Sequence, residues 1–196
     1  MDLQKIAVKF FTVEPNDPPL TDFIDLFHGW IQGTNGIYHD VADYSHMQAG
    51  PGIVLVANDA HISIDETGSR RGLLYSRKQP LPGTNAQKIL RALGFALENC
   101  KKLEAESSLS KRIKFRCDET LFAVNDRLLA PNDEATFLAL KDDVKNAAGG
   151  LYRGSRFTLN HNKDPRQRFS IAIRAAEPFD LDMLIDNVGA AVQSGR

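Results

Sequence analysis

Cysteine, tryptophan and long apolar runs are all scarce in this chain of 196 residues. The two cysteines, Cys100 and Cys117, are too few for a disulfide framework and lie among apolar residues, which predicts buried thiols in a reducing compartment. No stretch approaches the roughly 18 to 20 consecutive apolar residues that a membrane-spanning helix needs. Residues 1–10 lack the apolar core and cleavage site of a secretory signal. These absences predict a soluble, cytoplasmic protein without a membrane partner.

Lysine and arginine are missing from residues 14–69, although this segment contains nine acids and four of the five histidines. The net charge of the whole chain is -1, so it lacks the basic excess that nucleic-acid binding normally requires. Basic residues are concentrated toward the C-terminus instead. We therefore expect an acidic N-terminal surface and a basic C-terminal surface, and a partner other than nucleic acid.

The familiar catalytic signatures are absent as well. The chain contains no G-x-S-x-G elbow, no Walker-type glycine and lysine spacing and no G-x-G-x-x-G fingerprint. Neither cysteine lies beside a histidine, or beside a cation suited to lowering its pKa. These observations favour a protein without catalytic activity.

Hydrophobic periodicity predicts alternating strands and helices. Ile6, Val8 and Phe10 alternate with more polar residues, as in a half-buried strand. Thr21 is expected to cap a first helix that closes at Gly33. A meander of short strands is expected to follow, at residues 38–46, 53–56, 62–65 and 73–75.

The strongest local signal lies at residues 84–87, where Thr84 and Gln87 form the pattern of a capping box. A long helix should begin there and end in the polar stretch 104–110. The second half predicts strands at 113–117 and 121–124, a helix capped by Asn132, a hairpin at 156–174 and a helix capped by Asp180.

The predicted fold is therefore α+β, with a mainly antiparallel mixed sheet built from strand-helix and repeated ββα units. Its helices should pack on one face of the sheet. The chain should form one domain, or two lobes covering residues 1–106 and 111–196.

Residues 39–65 are the densest source of possible metal ligands. Uninterrupted strand alternation would place His39 and Asp43 on one face and Asp40 and His46 on the other. His61, on the following hairpin, could join either group. A divalent metal held by His39, Asp43, His46 and His61 would support a metal-dependent hydrolase or lyase. The alternative is a solvated acidic face whose histidines are hydrogen-bonded to the fold.

A second candidate site is an anion-binding region around one strand and the start of the long helix. A helix N-terminus offers free amides and a positive dipole end, so nearby cations would favour phosphate or carboxylate ligands. The alternative is ordinary capping and salt bridging. The candidate residues are Arg70, Arg71, Arg77, Lys78, Thr84 and Asn85.

A third candidate is a basic surface on the last hairpin, opposed only by Asp164. Its cations alternate with apolar residues, so they should line one face of the sheet. This surface would complement the acidic segment, within one molecule or between subunits. Its principal members are Arg156, Arg166, Arg168 and Arg174, accompanied by Arg153 and Lys163.

The sequence thus leaves three functional hypotheses. The leading one is a non-catalytic binding or assembly protein with a protein partner or with self-association. The second is a metal-dependent enzyme that uses residues 39–65. The third is a sensor of an anionic small molecule.

Overall fold

The computed structural model describes residues 1–15, 18–47, 50–109 and 112–194. Within them the chain forms strands and helices separated by short loops. The helices are α1 (Leu20–Gln32), α2 (Asn85–Ala105), α3 (Glu134–Leu151) and α4 (Leu181–Ser194). The strands are β1 (Ile6–Thr12), β2 (Tyr38–Asp43), β3 (Ile53–Ala57), β4 (Ala60–Asp65), β5 (Gly72–Arg77), β6 (Phe115–Val124), β7 (Phe157–His161) and β8 (Ser170–Ala175).

All eight strands join one antiparallel sheet in the order β2-β3-β4-β5-β1-β6-β8-β7. The predicted α+β class is therefore confirmed. The first strand lies in the middle of the sheet, where it pairs with both β5 and β6. Consequently, residues on both sides of the polar stretch after α2 contribute strands to the same sheet.

The two faces of the sheet differ in what covers them. In β1, Ile6, Val8 and Phe10 belong to the main hydrophobic core, which also contains the buried faces of all four helices. Ala7 faces the other way and forms a separate small cluster with Leu74 and Ala123. The helices therefore pack on one face, as predicted, because the large apolar residues of the main core lie on that side of the strands.

The ends of the helices confirm some of the predicted caps and correct others. Thr84 accepts a hydrogen bond from the Gln87 amide and the Gln87 side chain accepts one from the Thr84 amide, so the capping box is confirmed. The Asp180 carboxylate likewise caps α4. The prediction for Thr21 was wrong, because α1 begins at Leu20 after Pro19 and has no side-chain cap.

At α3 the capping residue is Asp133 rather than Asn132. The Asp133 carboxylate accepts a hydrogen bond of 2.8 Å from the amide of Thr136. The Asn132 side chain is engaged elsewhere, donating to the carbonyl of Asp164. Adjacent Asn and Asp are equally good caps by type, so the sequence alone did not distinguish them.

The capping box gives a direct stability prediction. Replacing Thr84 with alanine should lower the free energy of unfolding by about 1 kcal/mol, because the Gln87 amide loses its acceptor at the start of α2. Thr84→Ser keeps the hydroxyl and is the matched control. Urea unfolding followed by circular dichroism measures both. Equal losses in the two variants would show that the methyl group, and not the cap, stabilises this helix start.

Two strands differ from their predicted form. Residues 113–117 and 121–124 were expected to be separate strands, but Phe115–Val124 is one long strand. Glu119, which falls between the two predicted strands, is therefore buried inside β6. Strand β2 ends at Asp43, three residues before the predicted end, since its register with β3 stops there.

No helix in the described ranges is both long enough and apolar enough to cross a membrane.

Candidate functional site

Strand β2 is one free edge of the sheet and carries the acidic residues of the metal hypothesis. Its register with β3 shifts between Tyr38 and Asp40, which makes His39 the extra residue of a bulge. Alternation is broken at this point, so the predicted pairing of His39 with Asp43 on one face does not apply. His46 lies beyond the end of the strand, in a turn.

The histidines and carboxylates of the acidic segment are engaged separately. His39 Nε2 lies 2.7 Å from Asn58 Oδ1, and Asp43 accepts a hydrogen bond from the Ser45 amide. His61, on β4, is half-buried, and burial together with Lys78 lowers the pKa of its imidazole. No group of three or more His, Cys, Asp or Glu side chains in residues 1–15, 18–47, 50–109 and 112–194 is arranged to hold a metal. The structure does not bring His39, Asp43, His46 and His61 together.

The anion-binding set is divided between the two ends of β5. Arg70 and Arg71 precede this six-residue strand and Arg77 ends it, so the two groups lie about 20 Å apart. Arg77 pairs with Asp59, whereas the side chains of Thr84 and Asn85 are engaged in the helix cap and with Asp143. The side chain of Lys78 is exposed near Arg77.

An arginine cluster that the sequence did not reveal surrounds Glu119. The guanidinium of Arg70 donates two hydrogen bonds of 2.9 Å to the Glu119 carboxylate, and Arg174 forms an ion pair with it at 3.1 Å. The Arg116 guanidinium lies 3.9 Å away and pairs with Asp118. These hydrogen bonds, chiefly those from Arg70, lower the pKa of Glu119 although burial opposes them. No pattern in the sequence pointed to this cluster, because Glu119 lies between two predicted strands and periodicity does not identify partners distant in sequence.

A second buried ion pair lies beside this cluster, on the face that no helix covers. Lys9 Nζ contacts Asp65 Oδ1 at 2.5 Å and also donates to the carbonyl of Arg70. Both side chains of the pair are almost fully buried, and desolvation lowers the pKa of Lys9. Glycine at position 72 leaves room for the Lys9 side chain, because a Cβ at this position would lie only 2.9 Å from the Lys9 Cε atom.

A cleft of about 1030 Å³ opens at the end of the central strands beside the arginine cluster. Its walls include Phe11, Phe115 and Phe179. Its charged lining is balanced, with three cations and three acids, so the cleft offers no net attraction for an anion. Those residues are Arg70, Arg71, Arg116, Glu14, Asp118 and Glu177.

The opposite free edge of the sheet is β7, which belongs to the basic hairpin. Arg156 precedes this strand and is exposed, as is Lys163 in the loop that follows it. Arg166 pairs with Asp164, and Arg168 donates to the side chain of Asn125. Three cations of the predicted basic surface are thus engaged within the fold, namely Arg166, Arg168 and Arg174.

Each edge nevertheless keeps charges without an ion-pair partner among the described residues. On β2 these are Asp40 and Asp43, whose carboxylates accept hydrogen bonds from the Val41 amide and from Ser45 but have no cation as partner in the described part of the chain. Around β7 they are Arg153, Arg156 and Lys163. The two edges of one sheet therefore have opposite charge.

These two edges lie too far apart to contact each other within one molecule. Strands β2 and β7 are the first and last of eight, so seven spacings of about 4.8 Å separate them, or roughly 34 Å along the sheet. This distance exceeds the Debye length of about 10 Å at 0.1 M salt more than threefold. Complementarity between the acidic and basic surfaces is thus available only to different molecules.

Both cysteines are poorly suited to nucleophilic chemistry. Cys100 and Cys117 are buried, unpaired thiols. Burial raises the thiol pKa of Cys100 well above its ordinary value and that of Cys117 to about 12. The thiolate is the reactive form, so neither residue supplies an activated nucleophile at neutral pH.

The chain matches no protein-family model, and no curated protein or solved structure is significantly similar to it.

Proposed function

We propose that this chain is a non-catalytic binding protein that associates with further copies of itself through its two oppositely charged sheet edges. The observation that carries the proposal is the separation of about 34 Å between an acidic edge and a basic edge that both retain unpaired charges. Opposite charges that cannot meet within one molecule attract between molecules.

The distribution of internal ion pairs supports this proposal. Four acids of the cation-free segment already have a cation from elsewhere in the chain, so their charges are neutralised within the molecule. They are Asp22 with Arg112, Asp59 with Arg77, Asp65 with Lys9, and Glu66 with Arg71. The acids on β2 remain unpaired and lie where a neighbouring molecule could approach.

The non-catalytic part of the proposal is supported by the chemistry of the candidate groups. Raised thiol pKa values leave Cys100 and Cys117 in their unreactive form. His39 is hydrogen-bonded to Asn58, and the large cleft has a balanced lining. We infer a cytoplasmic location as well, since two free, buried thiols suit a reducing compartment.

Self-association should weaken with ionic strength. Sedimentation equilibrium should give a weight-average mass that rises with concentration in 0.1 M salt and falls toward the monomer mass of 21.7 kDa in 1 M salt. The physical reason is the fall of the Debye length from about 10 Å to about 3 Å over this range. A monomer mass at every concentration and salt level would refute the proposal.

A charge reversal at the basic edge tests the location of the contact. Arg156→Glu should weaken association roughly tenfold. The reason is that an attraction between exposed charges at the border of the contact becomes a repulsion of similar size. Lys78→Glu makes the same change of charge at an exposed position after the central strand β5, and is the matched control. Equal effects of the two variants would show that net charge, rather than the β7 edge, governs association.

A further inference from the structure

We infer that β7 receives strand β2 of another copy as an added strand, so that the sheet continues from one molecule into the next. This inference rests on the proposed self-association and specifies its geometry. It concerns the backbone groups of β7, whereas the proposed function concerns charge.

Strand β7 presents a row of outward backbone donors and acceptors. The Asn162 amide donates to the Ser170 carbonyl, and the Arg156 carbonyl accepts from the Ala176 amide. Even-numbered residues therefore direct their backbone polar groups toward β8. By alternation, Phe157, Leu159 and His161 direct theirs away from the sheet.

This edge has few of the features that normally block strand addition. Residues 157–161 contain no proline and no charged side chain, and their register with β8 is regular. Phe157 and Leu159 are partly buried and pack against the core. Such an edge is a template for pairing with another chain.

Charge determines which strand can add. Two β7 edges paired antiparallel would bring the flanking Arg156 and Lys163 of the two copies together, and two β2 edges would oppose Asp40 and Asp43. Like charges directly opposite each other are destabilising. Pairing of the β2 edge of one copy with the β7 edge of another instead brings the acidic residues of β2 near the basic residues that flank β7.

The direction of the strands also permits this combination. All neighbours in the sheet are antiparallel, so the first and the eighth strand run in opposite directions. A second copy in the same orientation therefore brings its β2 antiparallel to β7. The bulge at His39 restricts pairing to the second half of β2, where Val41 and Asp43 direct their backbone groups outward. The Val41 amide donates to the Asp40 carboxylate in the single molecule, so strand addition exchanges this local hydrogen bond for one to β7.

A contact between unlike edges leaves both outer edges of the pair available. Unless a ring closes, such a contact continues beyond the dimer. The inference therefore predicts a mass that keeps rising with concentration and shows no plateau at two copies.

Proline at position 159 tests the role of the backbone. Leu159→Pro removes an outward N–H without removing a bond to β8, and should weaken association at least tenfold. Leu159→Ala loses the same side chain but keeps the N–H, so it is the matched control and should associate much more strongly than the proline variant. Sedimentation equilibrium in 0.1 M salt measures association, and thermal unfolding verifies that both variants are folded.

Amide hydrogen exchange of the wild-type protein gives a second test that needs no variant. The amides of Leu159 and His161 should become protected as concentration rises. A mass that plateaus at two copies, or unprotected amides in associated protein, would overturn strand addition while leaving self-association intact. A wild-type protein that stays monomeric would instead overturn the proposed function itself.

Discussion

Lys9→Met should lower the free energy of unfolding by about 3 to 5 kcal/mol, the range for removing one partner of a buried ion pair. The substitution leaves Asp65 buried, with its side chain 3% exposed and without its cation. Asp65 would keep only the hydrogen bonds from Thr67, which do not offset a buried negative charge. Equilibrium urea unfolding at pH 7 measures the loss.

The control is the double variant Lys9→Met/Asp65→Asn, which removes both charges and keeps an amide beside Thr67. It should recover a large part of the stability lost in Lys9→Met, because no isolated charge remains buried. The two changes should therefore be strongly non-additive in a double-mutant cycle. A double variant whose loss equals the sum of the single losses would show that the two charges are not coupled.

Glu119→Gln should lower the free energy of unfolding by about 2 to 3 kcal/mol at pH 7. The change leaves three guanidinium groups close together without their shared carboxylate. The expected loss is smaller than for Lys9→Met because Arg70 and Arg174 are 44% and 59% exposed, and water screens them.

The same variant predicts a pH dependence. Hydrogen bonds from Arg70 make the pKa of Glu119 lower in the folded protein than its ordinary value of about 4.3. Its contribution to stability is therefore fully present above pH 4.3 and is lost as the pH falls through the folded value. The difference between wild type and Glu119→Gln should be constant near neutral pH and shrink in acid. A difference that persists unchanged at pH 2 would contradict the ionic role of Glu119.

Much of the fold follows from local patterns. The alternation of Ile6, Val8 and Phe10 predicted β1, and the capping box at Thr84 located α2. The expectation that β1 is half-buried was wrong, because a central strand is buried on both faces and all seven of its residues are buried. These signals are readable because they involve residues within one turn or one strand. The sequence also predicted the α+β class and the packing of helices on one face.

The candidate site was less predictable because it depends on the order of the strands. Strand β1 lies in the centre of the sheet, so Lys9 meets Asp65 and Arg70 meets Glu119 across 56 and 49 positions of sequence. Periodicity does not encode such partners. The bulge at His39 could not be predicted from the sequence either, since a single inserted residue barely changes the composition of a strand.

Charge segregation was visible in the sequence, whereas its geometric meaning was not. The cation-free segment 14–69 and the basic hairpin could have packed together in one molecule. Their positions at opposite edges of an eight-stranded sheet leave contact between molecules as the way to bring them together. The strand order therefore converts an ambiguous charge pattern into a specific hypothesis about assembly.

The most direct test of edge-to-edge association mixes two charge-reversed variants. Asp40→Lys/Asp43→Lys makes both edges basic, and Arg156→Glu/Lys163→Glu makes both edges acidic. Each variant alone should remain monomeric in sedimentation equilibrium at 0.1 M salt, because like edges repel. An equimolar mixture should regain association, since each basic edge then meets an acidic one. A mixture that stays monomeric while the wild type associates would contradict the account.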